Sequence, residues 1–367
     1  MRNSNLHSLL FLFLLSTIGC NKKKSNETTP TEITTRIVKQ NLQHVWEILW
    51  GPDDHIWFTE RDGKISKMNP TTGAIVFSST INDVVPSGEG GLLGMALHPD
   101  FLNNGFLYVV YNYNSSNGYK EKMARYTFSN NSITNPTSII DNIAASSIHN
   151  GSRVRIVTES TGVKIYFTTG DASNASTAQD VNSRSGKVLR LNADGSVPAD
   201  NPIGGNPLWS YGHRNPQGLV FVNNKLYESE HGPNIEDEVN IIDKGRNYGW
   251  PTVNGPCDAG ETSFCTTNNI KEPIWSSGDN TIAVCGIDYY NHDKIPEWKN
   301  SILMTTLKDA SLRQLKLSTD GNSVESTSIY FKNDYGRLRD ICISLSGKVY
   351  ICTSNGGNDD KIIEIAK

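Results

Sequence analysis

One repeated element constrains this chain more than any other feature: a four-residue strand of apolar and aromatic residues that recurs six times. The copies begin at Ile56, Leu107, Ile165, Leu226, Ile302 and Val349, and four of them (IWFT, IYFT, LYES, ILMT) close on Thr or Ser. Each is followed by a more polar, alternating segment, at 64–68, 123–128, 187–191, 238–242, 312–317 and 361–365. Most are also preceded by a strand, as at 45–49, 91–97, 153–157, 218–222 and 339–344. Turn residues such as Pro52-Asp53-Asp54, Asp194-Gly195 and Ser346-Gly347 stand between them. The copies recur about every 59 residues. A strand cluster of that size cannot bury both of its faces alone, whereas six stacked radially can. The expected fold is therefore all-β, a six-bladed β-propeller of four-stranded antiparallel blades. Because the last strand pair ends at the C-terminus, residues 36–49 are expected to supply the strand that closes the ring. No stretch keeps a helical period for more than about two turns, and a pair of packed sheets would give no reason for six copies.

At 367 residues and 37% hydrophobic content the chain can fill such a ring. Lys+Arg 34 against Asp+Glu 38, with no long basic run, argues against nucleic acid as a partner. The start reads as a targeting segment: Arg2, then an apolar run over 9–15 that is too short to span a bilayer. Ser16-Thr17-Ile18-Gly19-Cys20 resembles a bacterial lipoprotein signal with Cys20 lipidated, the alternative being an ordinary secretory signal cut near Gly19. Residues 1–20 are thus expected to be a signal peptide, and 21–35, rich in Lys, Asn and Thr, a flexible tether. Residues 36–367 would form the propeller, periplasmic or in the cell envelope of a bacterium, touching membrane only through the lipid on Cys20. In an exported chain Cys257, Cys265, Cys285, Cys342 and Cys352 can oxidise, and their odd number leaves at least one thiol unpaired or joined to another molecule. Cys257 and Cys265 flank a short loop and suit a disulfide. Cys342 and Cys352 lie on two strands of a hairpin, where a bridge depends on register. Without a CxxC pair, a structural zinc site is not expected.

The polar residues concentrate in long Gly- and Asn-rich connections, which in a propeller converge over the central channel. The first, SGEGGLLGMALHPDF over 87–101, has glycines that let backbone approach a ligand, although a turn entering a strand explains it as well. In the second, His149 starts one strand and Asp171 ends its hairpin partner, so both fall at one sheet edge. A carboxylate there can hold an imidazole and raise its basicity; a surface His with a turn Asp is the plainer reading. The third, WSYGHRNPQG over 209–218, offers Arg214 with Asn215 as a clamp for a carboxylate or carbonyl. The fourth runs from EHGPNIEDE (230–238) to NYGWP (247–251). Three acids beside carbonyls fixed by Gly232-Pro233 are the hard oxygens Ca²⁺ prefers, without EF-hand spacing, or else a solvated acidic turn. The fifth, GRLRD over 336–340, puts Arg337 and Arg339 on one strand face. With Lys308 at the end of another copy, they suggest an anionic ligand.

Together these segments resemble the soluble quinoprotein glucose/aldose sugar dehydrogenases, which use pyrroloquinoline quinone (PQQ). The resemblance runs from about residue 40 to the end and rests on GLLGMALHPDF (91–101), YGHRNPQGL (211–219), GPNIEDEVNII (232–242) with NYGWP, and RLRD (337–340), in that order. It implies a PQQ- and Ca²⁺-dependent oxidation of an aldose at C1 to the lactone, with hydride transfer to the quinone. His149 would be the general base and Asp171 its supporting carboxylate. Glu89, Arg214, Asn215 and, loosely, Thr281 would contact the quinone. Lys308, Arg337 and Arg339 would hold its carboxylates and the developing quinol charge. The resemblance assigns Gly232 and Pro233 to backbone carbonyls on the cofactor's Ca²⁺. Glu238 and Tyr248, with Asp258 as a weaker match, go to a second, structural Ca²⁺. The implied partners are an aldose and an unnamed electron acceptor, and a homodimer is compatible.

Two departures stand out. Glu89 replaces a Gln of the glucose dehydrogenase prototype, and a carboxylate there repels a trianionic cofactor unless protonated or paired, for example with an Arg. The run His149-Asn150-Gly151 replaces a Gln-containing one. Two other readings fit the same chain. One is a propeller lactonase or other metal-dependent hydrolase, which has no use for Lys308, Arg337 and Arg339. The other is a surface lipoprotein that binds glycans or partners without catalysis.

Overall fold

Each repeated strand lies second in a four-stranded antiparallel sheet, and there are six such sheets among the described residues, Met1 and 32–367 of the computed structural model. The signal peptide expected over 1–20, Cys20 included, and the tether expected over 21–35 fall mostly on residues 2–31, which lie outside the described residues, and Thr34 and Thr35 at the tether's end already belong to a strand. Blade one runs Val45–Trp50, Ile56–Glu60, Lys64–Met68 and Ile75–Thr80, each strand bonded to the next. Blades two to five repeat that path from Leu92, Gly151, Pro216 and Val284. Blade six takes Leu338–Ile343, Val349–Thr353 and Asp360–Ala366 from the C-terminus, and its outer strand, Thr34–Leu42, from the other end of the chain. Thr34 sits opposite Ala366 and Leu42 opposite Asp360. The closing strand is therefore Thr34–Leu42 rather than the whole of 36–49, since the stretch from Val45 onward opens blade one. Asn41 and His44 take left-handed backbone (φ 60° and 49°), which ends one strand and redirects the chain into the next.

The first strands of the six sheets pack against one another in a closed circuit and line the channel. The second strands lie between neighbouring blades, and Ile56–Glu60, Ser301–Thr306 and Val349–Thr353 are buried along their whole length. That double coverage is why the repeat reads as continuously apolar rather than alternating. One hydrophobic core sits between each pair of adjacent blades. Between blades one and two, Trp57 meets Phe101 and Phe128 edge-on at 5.5 and 4.9 Å. Burying a large apolar side chain of this kind contributes about 1.5–3 kcal/mol. The outer strands, such as Val324–Tyr330, are mostly exposed.

In all six blades the pairing of first and second strands slips near the start of the first strand, at Val45/Ile48, Leu92/Met95, Gly151/Val154, Pro216/Gly218, Val284/Ile287 and Leu338/Asp340. Six bulges at the same end re-aim side chains at one mouth of the channel. Below them, Arg153 is fully buried, 2.9 Å from Asp340 and 2.6 Å from Glu47, with Nε donating to the Gln217 carbonyl at 2.8 Å. Arg155 reaches the other Glu47 oxygen at 3.0 Å.

Cys257 and Cys265 form a disulfide. The bridge considered between Cys342 and Cys352 does not form: Cys342 lies opposite Tyr350 and Cys352 opposite Asp340, so the register separates the thiols. Both stay free and buried, as does Cys285. Among the described residues, no helix is long and apolar enough to cross a membrane.

Glu121 ties blade two to blade three. It is 1% exposed and accepts a 2.5 Å bond from the Ser152 hydroxyl. Burial pushes its carboxyl up to about 8, against the pull of Ser152 and Asn112. The fold therefore favours the neutral acid. Its contribution is full below the ordinary carboxylate range and is lost as pH rises through about 8. Glu121→Gln is expected to melt with the wild type near pH 4–5 and above it at pH 8–9, by up to a few kcal/mol at ~1.4 kcal/mol per pKa unit. Parallel melting of the two proteins across that range would contradict this.

Candidate active site

The mouth where the six first strands begin collects the loops that carry the polar segments. His149 is placed there by a tightly wound pair of loops: His149, Ser152, Ala172 and Ser173 all have positive φ (58°, 77°, 51° and 64°). Non-glycine residues persist in that region only where surrounding contacts impose it. The loops cross at Gly170, where a β-carbon would overlap the His149 carbonyl. His149 Nδ1 lies 2.9 Å from Asp171 Oδ1. Asp171 is 2% exposed, and as a carboxylate it only accepts, so Nδ1 carries the proton and Nε2 keeps a free lone pair. The second Asp171 oxygen accepts the Trp250 indole N–H at 2.9 Å, and its backbone N–H donates to the Arg214 carbonyl at 2.8 Å.

Glu89 reaches the same corner, its backbone N–H donating to the Ser147 carbonyl at 2.7 Å and its Oε2 lying 3.4 Å from the His149 amide. The charge of Glu89 acts on Arg61, Arg214 and Arg337 together. Arg61 also donates to the Gly88 carbonyl at 2.6 Å, anchoring the turn that carries Glu89. The exposed Glu89 carboxylate thus lies within electrostatic reach of three arginines. Burial, and next the charge of Arg339, lower both Arg61 and Arg337.

Arg339 and Arg337 share the site but not an environment. Arg339 is buried, donating to Gln217 Oε1 at 2.6 Å, while Arg337 stands exposed at the lip with Nε on the Ser354 carbonyl. The bulge at Leu338/Asp340 separates them. Arg214 donates to the His231 carbonyl at 3.2 Å and lies 5.4 Å over the Trp250 ring. Asn215 accepts the Gly151 N–H at 3.1 Å. Lys308 and Thr281 meet at 3.0 Å. Asp237 joins their loop to the Gly232-Pro233 turn, accepting Gly232 N–H at 2.9 Å on one oxygen and Ile282 and Ala283 N–H on the other. Gly232 is required there, because a β-carbon would overlap the Ile235 carbonyl. His231 donates through Nε2 to the Val284 carbonyl at 2.6 Å. Burial, then Arg339, push it down to about 3, so it adds no charge.

Beside this cationic arc lies a buried acidic one. Glu230 pairs with Glu238, and Glu228 with Asn240, across adjacent strands. Ligating atoms of His213, Glu228 and Glu230 lie within 4.8 Å of one another. Burial, and next the charge of Glu230, raise Glu228 and Glu238, the latter to about 8. Glu230, Gly232, Glu236, Glu238 and Tyr248 wall a cavity of about 10 Å³, room for one water-sized species. The Tyr248 hydroxyl is turned away, bonded to the Ile241 carbonyl at 2.6 Å and the Asp243 N–H at 2.8 Å. Asp258 is not brought to this cavity: it is exposed beside the Cys257 disulfide, its carboxylate bound to the Gly260 N–H. The short disulfide loop keeps it there.

Around this mouth, six of the buried atoms left without partners among the described residues divide by sign. Arg61 Nε, Asn215 Nδ2 and Arg339 Nε are orphaned donors on the cationic side, and Glu228 Oε1, Glu236 Oε2 and Asn240 Oδ1 are orphaned acceptors on the acidic side. Arg61, Gln217, Trp250, Glu228 and Glu230 were not singled out from the sequence. The repeat holds a usable signal for Arg61: it stands two residues past its strand copy, as His231 does, while Asp171 and Lys308 stand three past theirs. A cavity of about 510 Å³, lined in part by Trp50, Leu97, Arg155 and Ile343, lies at the opposite mouth, where first strands end.

A family model described as Glucose / Sorbosone dehydrogenase matches residues 42–364. Quinoprotein glucose dehydrogenase B of Acinetobacter calcoaceticus is 30% identical, over 89% of this chain and 86% of that protein. Aldose sugar dehydrogenase YliI of Escherichia coli is 28% identical, over 90% and 92%. The PQQ-bound aldose sugar dehydrogenase of Streptomyces coelicolor superposes with a TM-score of 0.77 at 27% identity, over 92% of this chain and 99% of that one.

Proposed function

The chain belongs to the glucose/sorbosone dehydrogenase family, and from that premise we propose that it oxidises an aldose at C1 to the lactone with PQQ and Ca²⁺. The reading rests above all on one observation: the His149–Asp171 pair opens at the same mouth as four arginines drawn from blades one, three and six. Orphaned donors beside it fit an anionic group, and orphaned carboxylate and amide oxygens across from them fit a hard cation. PQQ would be held by Arg61, Arg214, Asn215, Lys308, Arg337 and Arg339, the cofactor's Ca²⁺ by the Gly232-Pro233 carbonyls, and a second, structural Ca²⁺ by the acidic cavity that Glu230 and Glu238 wall.

When bound, the quinone supplies a hydride acceptor and Ca²⁺ a Lewis acid. His149 Nε2 takes the proton of the sugar C1 hydroxyl, since Nδ1 already donates to Asp171. Asp171 then faces an imidazolium and stabilises it. The arginines and Lys308 hold negative charge without reorganising, because their partners already fix them. The Glu89 carboxylate lies within electrostatic reach of Arg61, Arg214 and Arg337.

Reconstitution of the purified protein with PQQ and Ca²⁺, followed by dye reduction with a panel of aldoses, tests the assignment. Turnover of at least one aldose supports it, and absence of both turnover and quinone binding rejects it. Cation binding has a separate readout in the protein free of quinone. Ca²⁺ at about a hundred times its Kd is expected to stabilise the fold by about 2.7 kcal/mol, reversed by EGTA. Glu230→Gln and Glu238→Gln should each remove most of that increment. An unchanged response in both variants would place the cation elsewhere.

A further inference from the structure

Trp250 makes two contacts that bear on the reaction without occupying any position the resemblance assigns. Its indole N–H donates to Asp171 Oδ2 at 2.9 Å, on the oxygen not used by His149. Its ring carries the Arg214 guanidinium at 5.4 Å. The residue is itself held at both ends of its peptide unit, donating from N–H to the Gly212 carbonyl at 3.0 Å and accepting Gln179 Nε2 at 2.7 Å. The chain Trp250–Asp171–His149 therefore joins loops of blades three and four.

Resting on the reading of His149 as general base, we propose that Trp250 is a positioning residue that sets the proton affinity of His149 through Asp171. The indole N–H stabilises the charged carboxylate from the side opposite the imidazole. Without it, Asp171 is more basic and binds an imidazolium more strongly, so His149 holds its proton to higher pH. The other charged or titratable groups facing His149 are Glu89 from the loop before blade two, Arg214 from the loop before blade four, and His231 after the Lys225–Glu230 strand. A Trp250→Phe change alters none of them, and the phenyl ring keeps a face for Arg214.

Imidazole nitrogen NMR on the quinone-free protein reads this directly, with His149→Gln identifying the signal. In Trp250→Phe the His149 midpoint is expected to move up by about half a pH unit. In the reconstituted enzyme the acid limb of kcat should move the same way, with kcat on that limb about 3-fold lower and the sugar KM unchanged. Replacing Trp250 by benzothienylalanine removes only the N–H and provides the same test should the Phe variant fold poorly. A His149 titration identical in wild type and variants overturns the proposal, even where kcat falls. A shifted His149 titration in a protein that never reduces PQQ would keep Trp250 in this role and reject the dehydrogenase reading.

Discussion

His149→Gln is expected to lower kcat by about 10²–10⁴-fold while leaving quinone binding unchanged. The imidazole is the one group at the mouth with a free lone pair beside a carboxylate that fixes its tautomer. None of the cationic side chains can accept a proton from a sugar hydroxyl, and His231, which donates through Nε2 to the Val284 carbonyl, is pushed down to about 3 by burial and Arg339 and is too weak a base. Gln preserves much of the side-chain volume and can still donate to Asp171, so the arginines keep their partners. PQQ titration and steady-state kinetics on the same preparation separate the two effects. Turnover within tenfold of wild type would remove His149 as the base.

The largest effect on stability is expected at Arg153. Its guanidinium is fully buried between Glu47 and Asp340 and stacks 4.3 Å from the Trp46 ring. Burial disfavours its charge, yet Asp340 and Glu47 more than restore it and hold its pKa above the ordinary value. Removing one partner of a buried pair leaves the others uncompensated, at a cost of about 3–5 kcal/mol. Arg155 can answer for only part of the acid charge, since it touches Glu47 alone. Arg153→Met should therefore lose about that much in urea unfolding, or fail to fold. A loss below about 1 kcal/mol would mean that water reaches the channel in the variant and solvates both acids.

The fold was legible because the buried second strand of each blade is covered on both faces, as Ile56–Glu60 and Val349–Thr353 show. Its apolar run survives in any sequence that fills the ring. The outer strands were not legible, because residues such as those of Val324–Tyr330 are exposed along nearly the whole strand and need no pattern. The closing strand was placed only approximately, since the boundary at Leu42–Val45 depends on the left-handed Asn41 and His44 rather than on hydrophobicity.

At the site, strand order put His149 and Asp171 at one sheet edge, where a surface His with a turn Asp was the plainer reading, and the structure sets them 2.9 Å apart. Asp258 could not be rejected that way, because only the disulfide loop shows where its carboxylate points. The partners of Glu89 were equally invisible: Arg61 lies 28 residues away in sequence, on the neighbouring blade. Buried acids such as Glu228 read as strand residues until cross-strand register places them opposite Asn240 and beside Glu230.

The most direct measurement is a single anaerobic mixing experiment: apoprotein loaded with stoichiometric PQQ and Ca²⁺, its absorbance followed after an aldose is added. If guanidinium groups and carboxylate oxygens from different blades do seat the quinone above His149, the oxidised band should disappear in one stoichiometric phase that slows markedly in His149→Gln. PQQ that stays free in solution, or remains oxidised when bound beside every aldose offered, would contradict the account.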